Sequence, residues 1–155
     1  EELWPLVAAP EPDYFAVLCG CAAYKAAVVS QEEQDAGIRL SLNLGHTVGH
    51  AVERHSGYTV SHGEAVAIGL ATMARAGAAL GWCEPIAAER IKTALKRRGL
   101  PLCYRCKPEE LLPYLWADKK RQGDDLTVVL PHRIGYCSLR RMKKPQLLRL
   151  LREGL

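Results

Sequence analysis

Apolar residues recur at helical spacing along most of this chain, and several segments with that pattern are bounded by residues that start or stop helices. Asp13 precedes the first segment as a candidate N-cap, Pro85 opens the fourth, and Gly99 follows it. The helices predicted in this way cover residues 13–33, 38–55, 62–80, 85–99, 108–120 and 145–154.

One segment departs from the helical pattern. Residues 126–140, LTVVLPHRIGYCSLR, alternate in polarity and include β-branched side chains, which favours extended strands. A Pro-His-Arg turn at residues 131–133 would join two such strands. The sequence therefore predicts a mainly α domain with one small β-hairpin.

The third predicted helix carries its own start signal. Ser61 and Glu64 are three residues apart, the spacing of a capping box, in which each side chain accepts a hydrogen bond from the other residue's backbone amide. This signal makes His62 the first residue of the helix.

Composition and charge fit one globular domain outside a membrane. The chain has 155 residues, 48% hydrophobic and 25% charged, and no apolar run of 18 residues lacks a charge. Residues 1–14 are acidic and proline-rich, unlike a targeting peptide, and lack an initiator methionine, so we expect the chain to begin in mid-protein. The net charge of +4, without aromatic residues among the basic ones, argues against nucleic acid and suits a small anionic substrate.

The six cysteines do not form a zinc-binding pattern. Cys19 and Cys21 lie in the apolar first helix and are expected to be buried thiols. CYRC at residues 103–106 is a lone CxxC, and Cys83 and Cys137 are poorly spaced to supply a second pair. We therefore expect reduced cysteines in a cytoplasmic protein.

Four of the five histidines are clustered in the second and third predicted helices. His46 and His50 are four apart and share a helix face, with Gly45 and Gly49 beside them. Glycine inside a helix costs about 1 kcal/mol relative to alanine, so something is expected to come close, either a packed helix or a ligand. The following loop lets His62 approach His46, and the group indicates a metal or substrate site.

The pattern excludes a zincin-type HExxH motif, because Thr47 stands where its glutamate would be. Of the nearby carboxylates, Glu64 is expected to be occupied by capping, and Glu53 lies one turn beyond His50 on a rotated face. Catalytic zinc generally has three protein ligands and an open position, and the spacing names no third ligand.

At these residues the chain resembles the C-terminal domain of 3-dehydroquinate synthase, a family of the sugar phosphate cyclase superfamily. The matching phrases run in order along most of the chain. They are YKAAVV around Lys25, DAGIRLSLNLGHTVGHAVE at 35–53, SHGEAVAIGL at 61–70, LKRRGLP at 95–101, DKK at 118–120 and VVLPHRIG at 128–135.

The resemblance implies a metal centre. His46 and His62 match two of three ligands of Zn²⁺ (or Co²⁺), and the family's third ligand is a glutamate upstream of Lys25 in a segment that this sequence does not contain. The N-terminal nucleotide-binding α/β domain, which holds most of the NAD⁺, is absent as well. Residues 1–155 are therefore expected to be one domain of a larger homodimeric protein, inactive by itself.

The resemblance also implies a small anionic sugar-acid phosphate as substrate. The residues that match its contacts are Lys25, Arg39, Asn43, His50, Lys119 and Lys120. Lys25 and Arg39 would hold the carboxylate, for which the planar fork of arginine is suited. Asn43 and His50 would face the phosphate and ring hydroxyls, and one or both DKK lysines the phosphate. Asp35 stands where the family usually has glutamate.

The implied reaction converts 3-deoxy-D-arabino-heptulosonate 7-phosphate to 3-dehydroquinate and phosphate, a phosphorus–oxygen lyase step in the shikimate pathway of aromatic amino acid biosynthesis. NAD⁺ oxidises a substrate alcohol, phosphate leaves, and the ring opens and recloses after re-reduction. Zinc would lower the pKa of the alcohol as a Lewis acid. Because the substrate phosphate can itself take a proton, the protein mainly positions it. The catalytic candidates are His50, for proton handling, and Lys25.

Three alternatives remain open at this point. Another sugar phosphate cyclase, making an inosose or a valiolone, is disfavoured by the carboxylate clamp of Lys25 and Arg39. A glycerol dehydrogenase-type enzyme is disfavoured by the phrases LNLGHTVGHAVE and DKK. A non-catalytic helical domain would bind zinc weakly, whereas an enzyme with an intact ligand set would bind it tightly.

Overall fold

The computed structural model describes residues 2–31, 37–116, 121–122 and 125–155. Within these ranges the domain is mainly helical and carries one antiparallel sheet. The α-helices are α1 (Trp4–Ala8), α2 (Tyr14–Gln31), α3 (His46–His55), α4 (His62–Ala79), α5 (Pro85–Arg97), α6 (Pro108–Trp116) and α7 (Lys144–Gly154), and a 3₁₀ helix spans Ile38–Asn43. The strands are β1 (Arg121–Gln122), β2 (Asp125–Arg133) and β3 (Tyr136–Met142).

Most of the predicted helices are confirmed, including their end signals. The Asp13 carboxylate accepts a hydrogen bond from the Ala16 amide at 3.0 Å, as an N-cap does. Pro85 is the first residue of α5, and Gly99, just after it, has a positive φ of 67°. The part of the fifth predicted helix beyond Trp116 lies outside the described residues. Helix α1 is not predicted from the sequence, because five residues are too few to show a periodicity.

The second predicted helix is not continuous, which corrects the prediction for residues 38–55. The 3₁₀ helix ends at Asn43, and Gly45 then adopts a left-handed conformation with φ 79° directly before α3. Glycine takes this conformation without the steric cost that a Cβ would bring. Asn43 is therefore not on the same helix as His46, although it remains close to it in sequence.

The hairpin is confirmed, but its predicted turn is wrong. Residues 131–133 belong to β2, and the chain reverses at Ile134 and Gly135, where glycine supplies a φ of 81°. The register is irregular between Pro131 and Arg133, as at a β-bulge. The short strand β1 also pairs with β2 and makes the sheet three-stranded.

Helix α4 lies at the centre of the domain. Ten of its 18 residues are buried, and it packs against α3, α5, α7 and β2. Large side chains of α6, α7 and the sheet complete this core: Leu111, Leu115, Leu126, Leu130, Leu147, Leu150 and Leu151. Burial of one such leucine stabilises the fold by about 1.5–3 kcal/mol, so α4 is firmly held.

The crossing of α3 and α4 is unusually close, because glycines face each other there. A Cβ at Gly45 would come within 2.8 Å of the Val66 carbonyl oxygen, and one at Gly49 within 3.0 Å of the Ala65 carbonyl oxygen. A Cβ at Gly69 would clash with the Gly45 carbonyl oxygen and approach the Gly49 amide nitrogen to 2.8 Å. The sequence left two explanations for these glycines, a closely packed helix or a ligand. The structure supports the closely packed helix at these positions.

Helix α2 differs from the other long helices in that only Val28 is buried. Cys19 and Cys21 are exposed on it, so the prediction that they are buried thiols is wrong: the apolar composition of α2 does not reflect a core position. Its largest exposed apolar side chains are Tyr14, Phe15, Leu18 and Tyr24.

By length and composition alone, α2 is also the one helix among the described residues that could cross a membrane. That is weak evidence, and Lys25 lies in its interior. A lysine at the centre of a bilayer-spanning helix costs about 2.5–3.5 kcal/mol on insertion scales. The absence of a membrane span therefore stays our prediction.

We expect the glycine crossing to control stability. Gly69→Ala should lower the free energy of unfolding by about 3 kcal/mol, at the upper end for overpacking, because its methyl group would meet backbone atoms that cannot rotate away. Gly63→Ala is the matched control on the same helix: nothing lies within 4 Å of its Cβ position, so its stability should stay equal or rise by up to about 1 kcal/mol. Urea denaturation of both variants measures this, and equal stability of the two would contradict the backbone contact.

Candidate metal centre

Two helix starts bring the histidines together. His46 is the first residue of α3, directly after the left-handed Gly45, and His50 follows one turn later on the same face. His62 is the first residue of α4, directly after the N-cap Ser61. Because α3 and α4 cross closely, these three residues converge at one edge of the helix pair.

The three imidazole rings form a compact triangle. Ring centroids lie 5.5 Å apart for His46 and His50, 5.4 Å for His46 and His62, and 5.9 Å for His50 and His62. The predicted approach of His62 to His46 is therefore present in the structure. His46 and His50 are half-buried, whereas the side chain of His62 is 58% exposed, so the group opens to solvent on the α4 side.

The ring of His46 has a fixed orientation. Its Nδ1 lies 3.2 Å from the Leu44 carbonyl oxygen, which can only accept a hydrogen bond, so Nδ1 carries the hydrogen. In the neutral ring this places the lone pair on Nε2. Metal-binding histidines are commonly oriented in this way by a carbonyl or carboxylate.

Glu53 joins the site, which corrects its predicted placement on a rotated face. One of its carboxylate oxygens lies 3.2 Å from Nδ1 of His62. The signal is present in the sequence: seven residues return an α-helix to within about 20° of its starting direction, so Glu53 projects from nearly the same side of α3 as His46. The spacing between Glu53 and His50 alone does not show that Glu53 shares a side of α3 with His46.

The side chains of His50, Glu53 and His62 together can offer three ligand atoms to one cation. These atoms all lie within 4.8 Å of one another. Imidazole nitrogens with a carboxylate oxygen are a donor set that suits Zn²⁺ and Co²⁺. The imidazoles of this group, with His46 in ring contact with both of its histidines, therefore fit a metal of this kind, and the group does not by itself decide whether Glu53 is a ligand or orients His62.

The role predicted for Glu64 is confirmed. Its carboxylate accepts hydrogen bonds from the Ser61 hydroxyl at 2.7 Å and from the Ser61 amide at 3.0 Å. Both bonds lower the pKa of Glu64, the hydroxyl more than the amide. Glu64 thus holds the start of α4 and the backbone of His62.

The other histidines have different surroundings. Nδ1 of His55 lies 2.9 Å from the Tyr104 hydroxyl, and its ring also contacts Tyr114. Nε2 of His132 lies 2.6 Å from the Ser138 hydroxyl across the hairpin. These contacts join α3 to α6 and the segment before it, and β2 to β3.

The remaining predicted site residues that the structure describes lie on neighbouring elements. Arg39 and Asn43 are half-buried on the 3₁₀ helix, which leads directly into α3. Lys25 is exposed on α2, which packs against that 3₁₀ helix. Lys119 and Lys120, and also Asp35, lie outside the described residues. The geometry thus groups the histidines and Glu53, and the substrate roles of the others stay predictions.

Comparison with known proteins identifies a family and a relative whose sequences match most of this chain. A family model described as 3-dehydroquinate synthase C-terminal matches residues 6–121. A 3-dehydroquinate synthase from a Nitratiruptor species is 41% identical over 132 residues, which are 83% of this chain and 38% of that protein. This chain therefore spans well under half the length of that relative.

Two solved structures share the fold. One is 2-deoxy-scyllo-inosose synthase complexed with carbaglucose-6-phosphate, NAD⁺ and Co²⁺, with a TM-score of 0.72 and 25% identity, covering 87% of this chain and 40% of that one. The other is ValA, a 2-epi-5-epi-valiolone synthase from Streptomyces hygroscopicus subsp. jinggangensis 5008 with NAD⁺ and Zn²⁺ bound. Its TM-score is 0.79 at 19% identity, covering 97% of this chain and 45% of that one, which shows the fold alone. With the family model and the 41% identical relative, these findings show that the chain belongs to the 3-dehydroquinate synthase C-terminal family.

Proposed function

We propose that this chain is the metal- and substrate-binding domain of a 3-dehydroquinate synthase, a lyase that releases phosphate from 3-deoxy-D-arabino-heptulosonate 7-phosphate. The observation that carries the proposal is the triangle of imidazoles at the crossing of α3 and α4, in a chain that is 41% identical to a 3-dehydroquinate synthase. The product assigned in this way, 3-dehydroquinate, belongs to the shikimate pathway.

His46 and His62 would hold the metal, and a carboxylate from upstream of this chain would complete the ligand set. A bound Zn²⁺ or Co²⁺ supplies Lewis acidity, which lowers the pKa of a coordinated alcohol. Two features of the chain support this assignment: Nδ1 of each ring has an oxygen neighbour at 3.2 Å, and solvent reaches the group at His62.

The remaining side chains would bind the substrate and handle protons. His50 lies next to both proposed ligands, so an imidazole nitrogen of His50 can accept a proton from a group held there. Arg39 and Lys25 would bind the substrate carboxylate, and Asn43 its hydroxyls. Lys119 and Lys120 would add positive charge toward the phosphate. Holding the substrate in this way contributes to the rate by positioning.

The whole protein would need a nucleotide-binding domain for its NAD⁺. Support comes from the much greater length of the relatives and from the two fold neighbours, whose structures contain NAD⁺. The exposed apolar side chains of α2, among them Phe15 at 78% and Leu18 at 68%, offer a surface for such a domain. A homodimer and a cytoplasmic location complete the proposal.

The fold neighbours favour a second candidate, another sugar phosphate cyclase. The inosose synthase structure contains carbaglucose-6-phosphate, which lacks a carboxylate, so the two candidates differ in whether the substrate is an acid. Arg39 and Lys25 are the residues of this chain proposed to bind that carboxylate, and Arg39 is the more informative one to replace, because a guanidinium can pair with a carboxylate by two parallel hydrogen bonds.

The first prediction concerns the metal. In the whole protein, which includes the upstream carboxylate, His62→Ala and His46→Ala should each lower the affinity for Zn²⁺ by more than about 100-fold, since loss of a ligand exceeds the 10–100-fold typical of an outer-shell partner. His132→Ala is the matched control, because that imidazole pairs with Ser138 on the hairpin. Isothermal titration calorimetry of the whole protein measures all three, and equally weak binding by the unaltered protein and all variants would favour the non-catalytic alternative.

The second prediction concerns the substrate. In the whole protein with NAD⁺ and Zn²⁺, Arg39→Gln should reduce kcat/KM for phosphate release from the heptulosonate phosphate by about tenfold to hundredfold, because a hydrogen bond to a charged group contributes about 1.5–3 kcal/mol. Arg54→Gln, an exposed arginine of α3, is the control and should leave kcat/KM unchanged.

Glucose 6-phosphate, which has no carboxylate, provides the comparison substrate. Faster phosphate release from it than from the heptulosonate phosphate would point to another sugar phosphate cyclase. The same would follow if Arg39→Gln left turnover of the acid substrate unaltered.

A further inference from the structure

We propose that Glu53 is a positioning residue that fixes the ring of His62, so that His62 presents Nε2 to the metal. This inference rests on the proposed metal site and deepens it. It assigns a role to a carboxylate that is neither a predicted ligand nor a predicted substrate contact, and that carboxylate lies in this chain and not upstream of it.

The contact itself is specific. A carboxylate oxygen of Glu53 lies 3.2 Å from Nδ1 of His62, and the Glu53 side chain is only 15% exposed, against 58% for His62. An ionised carboxylate can only accept hydrogen bonds, so the contact selects the form of His62 that carries a hydrogen on Nδ1. The lone pair of the neutral ring is then on Nε2.

The backbone of Glu53 is fixed as well. Its carbonyl oxygen accepts a hydrogen bond from the Tyr58 amide at 2.8 Å and another from the Ser56 hydroxyl at 2.9 Å. These bonds close the turn at the end of α3. The carboxylate therefore projects from a defined point toward the start of α4.

The other contacts of the His62 ring, with the rings of His46 and His50 at centroid distances of 5.4 and 5.9 Å, do not select a tautomer as a hydrogen bond does. His62 is the first residue of α4, more than half of its side chain is in solvent, and its neighbour Gly63 has nothing within 4 Å of its Cβ position. An exposed imidazole at such a position can adopt several rotamers and both tautomers. His46 reaches the same result by another route, because the Leu44 carbonyl fixes its Nδ1.

Glu53 could instead be a ligand itself, since its oxygen lies within 4.8 Å of ligand atoms of His50 and His62. The positioning role is favoured because the 3.2 Å contact pairs Glu53 with one ring nitrogen of His62, Nδ1, and leaves the other, Nε2, to the metal, as in carboxylate–histidine–metal arrangements. The two roles predict different behaviour for a glutamine at position 53. An amide oxygen still accepts the Nδ1 hydrogen, whereas a neutral amide is a poor replacement for a metal-binding carboxylate.

The test combines the tautomer of His62, measured on the 155-residue chain, with the Zn²⁺ affinity, measured on the whole protein that includes the upstream carboxylate. Two-dimensional ¹H–¹⁵N spectra of the metal-free chain, at a pH where histidine is neutral, report the tautomer of His62. We expect the Nδ1–H form in the unaltered chain and in Glu53→Gln, and a mixture of the two forms in Glu53→Ala. Titration of the whole protein with Zn²⁺ alone should show an affinity loss of about 10–100-fold in Glu53→Ala and a smaller loss in Glu53→Gln.

Glu89→Gln is the control for removal of a carboxylate, because Glu89 pairs with Lys92 on α5. It should change neither measurement, and the unfolding temperatures of all variants should agree within a few degrees. The proposal is overturned if His62 has the same tautomer in the unaltered chain and in Glu53→Ala. It is also overturned if Glu53→Gln loses as much affinity as Glu53→Ala, which would make the carboxylate a ligand.

The failure of this inference is distinguishable from failure of the metal site. A tautomer of His62 that depends on Glu53, in a whole protein that does not bind Zn²⁺, would support the pairing and contradict the proposed metal function. Tight Zn²⁺ binding that Glu53→Ala leaves unaltered would support the proposed metal site and contradict the positioning role of Glu53.

Discussion

The backbone contact between α3 and α4 is the constraint on which the rest of the site depends. At Gly45, Gly49 and Gly69 the two helices approach through main-chain atoms, with no side chain between them. Larger side chains at these three positions would push the helices apart and move His62 away from His46 and His50. The central position of α4 in the core then fixes this pair of helices relative to α5, α6, α7 and the sheet.

Most of the helical framework can be predicted from the sequence because its signals are local. Asp13, Pro85 and Gly99 mark helix ends through their own conformational preferences, and the structure confirms each of them. The approach of His62 to His46 is also predictable, since the capping box at Ser61 places the start of α4. Metal binding at that point remains a prediction from family resemblance.

The errors arise where a residue's neighbours cannot be inferred from spacing. By spacing Gly45 belongs to the interior of a helix, whereas in the structure it has a positive φ, precedes α3 and lies in close contact with the backbone of α4. Proline is common in turns, which favours residues 131–133 for the turn of the hairpin, but Gly135 is better suited to a positive φ. An apolar helix such as α2 is expected to be buried, and composition alone does not say what covers a helix.

The glycine crossing has a consequence for how such a domain can diversify. Because main-chain atoms set the separation of the two helices, the side chains at 46, 50, 53 and 62 can be exchanged without loosening the framework. Single substitutions at these positions could therefore introduce new chemistry, because the backbone would keep the distances between the four positions unchanged. In the same way, a related protein could lose its enzymatic activity and still keep this fold. Conservation of the fold is therefore poor evidence that the reaction is conserved.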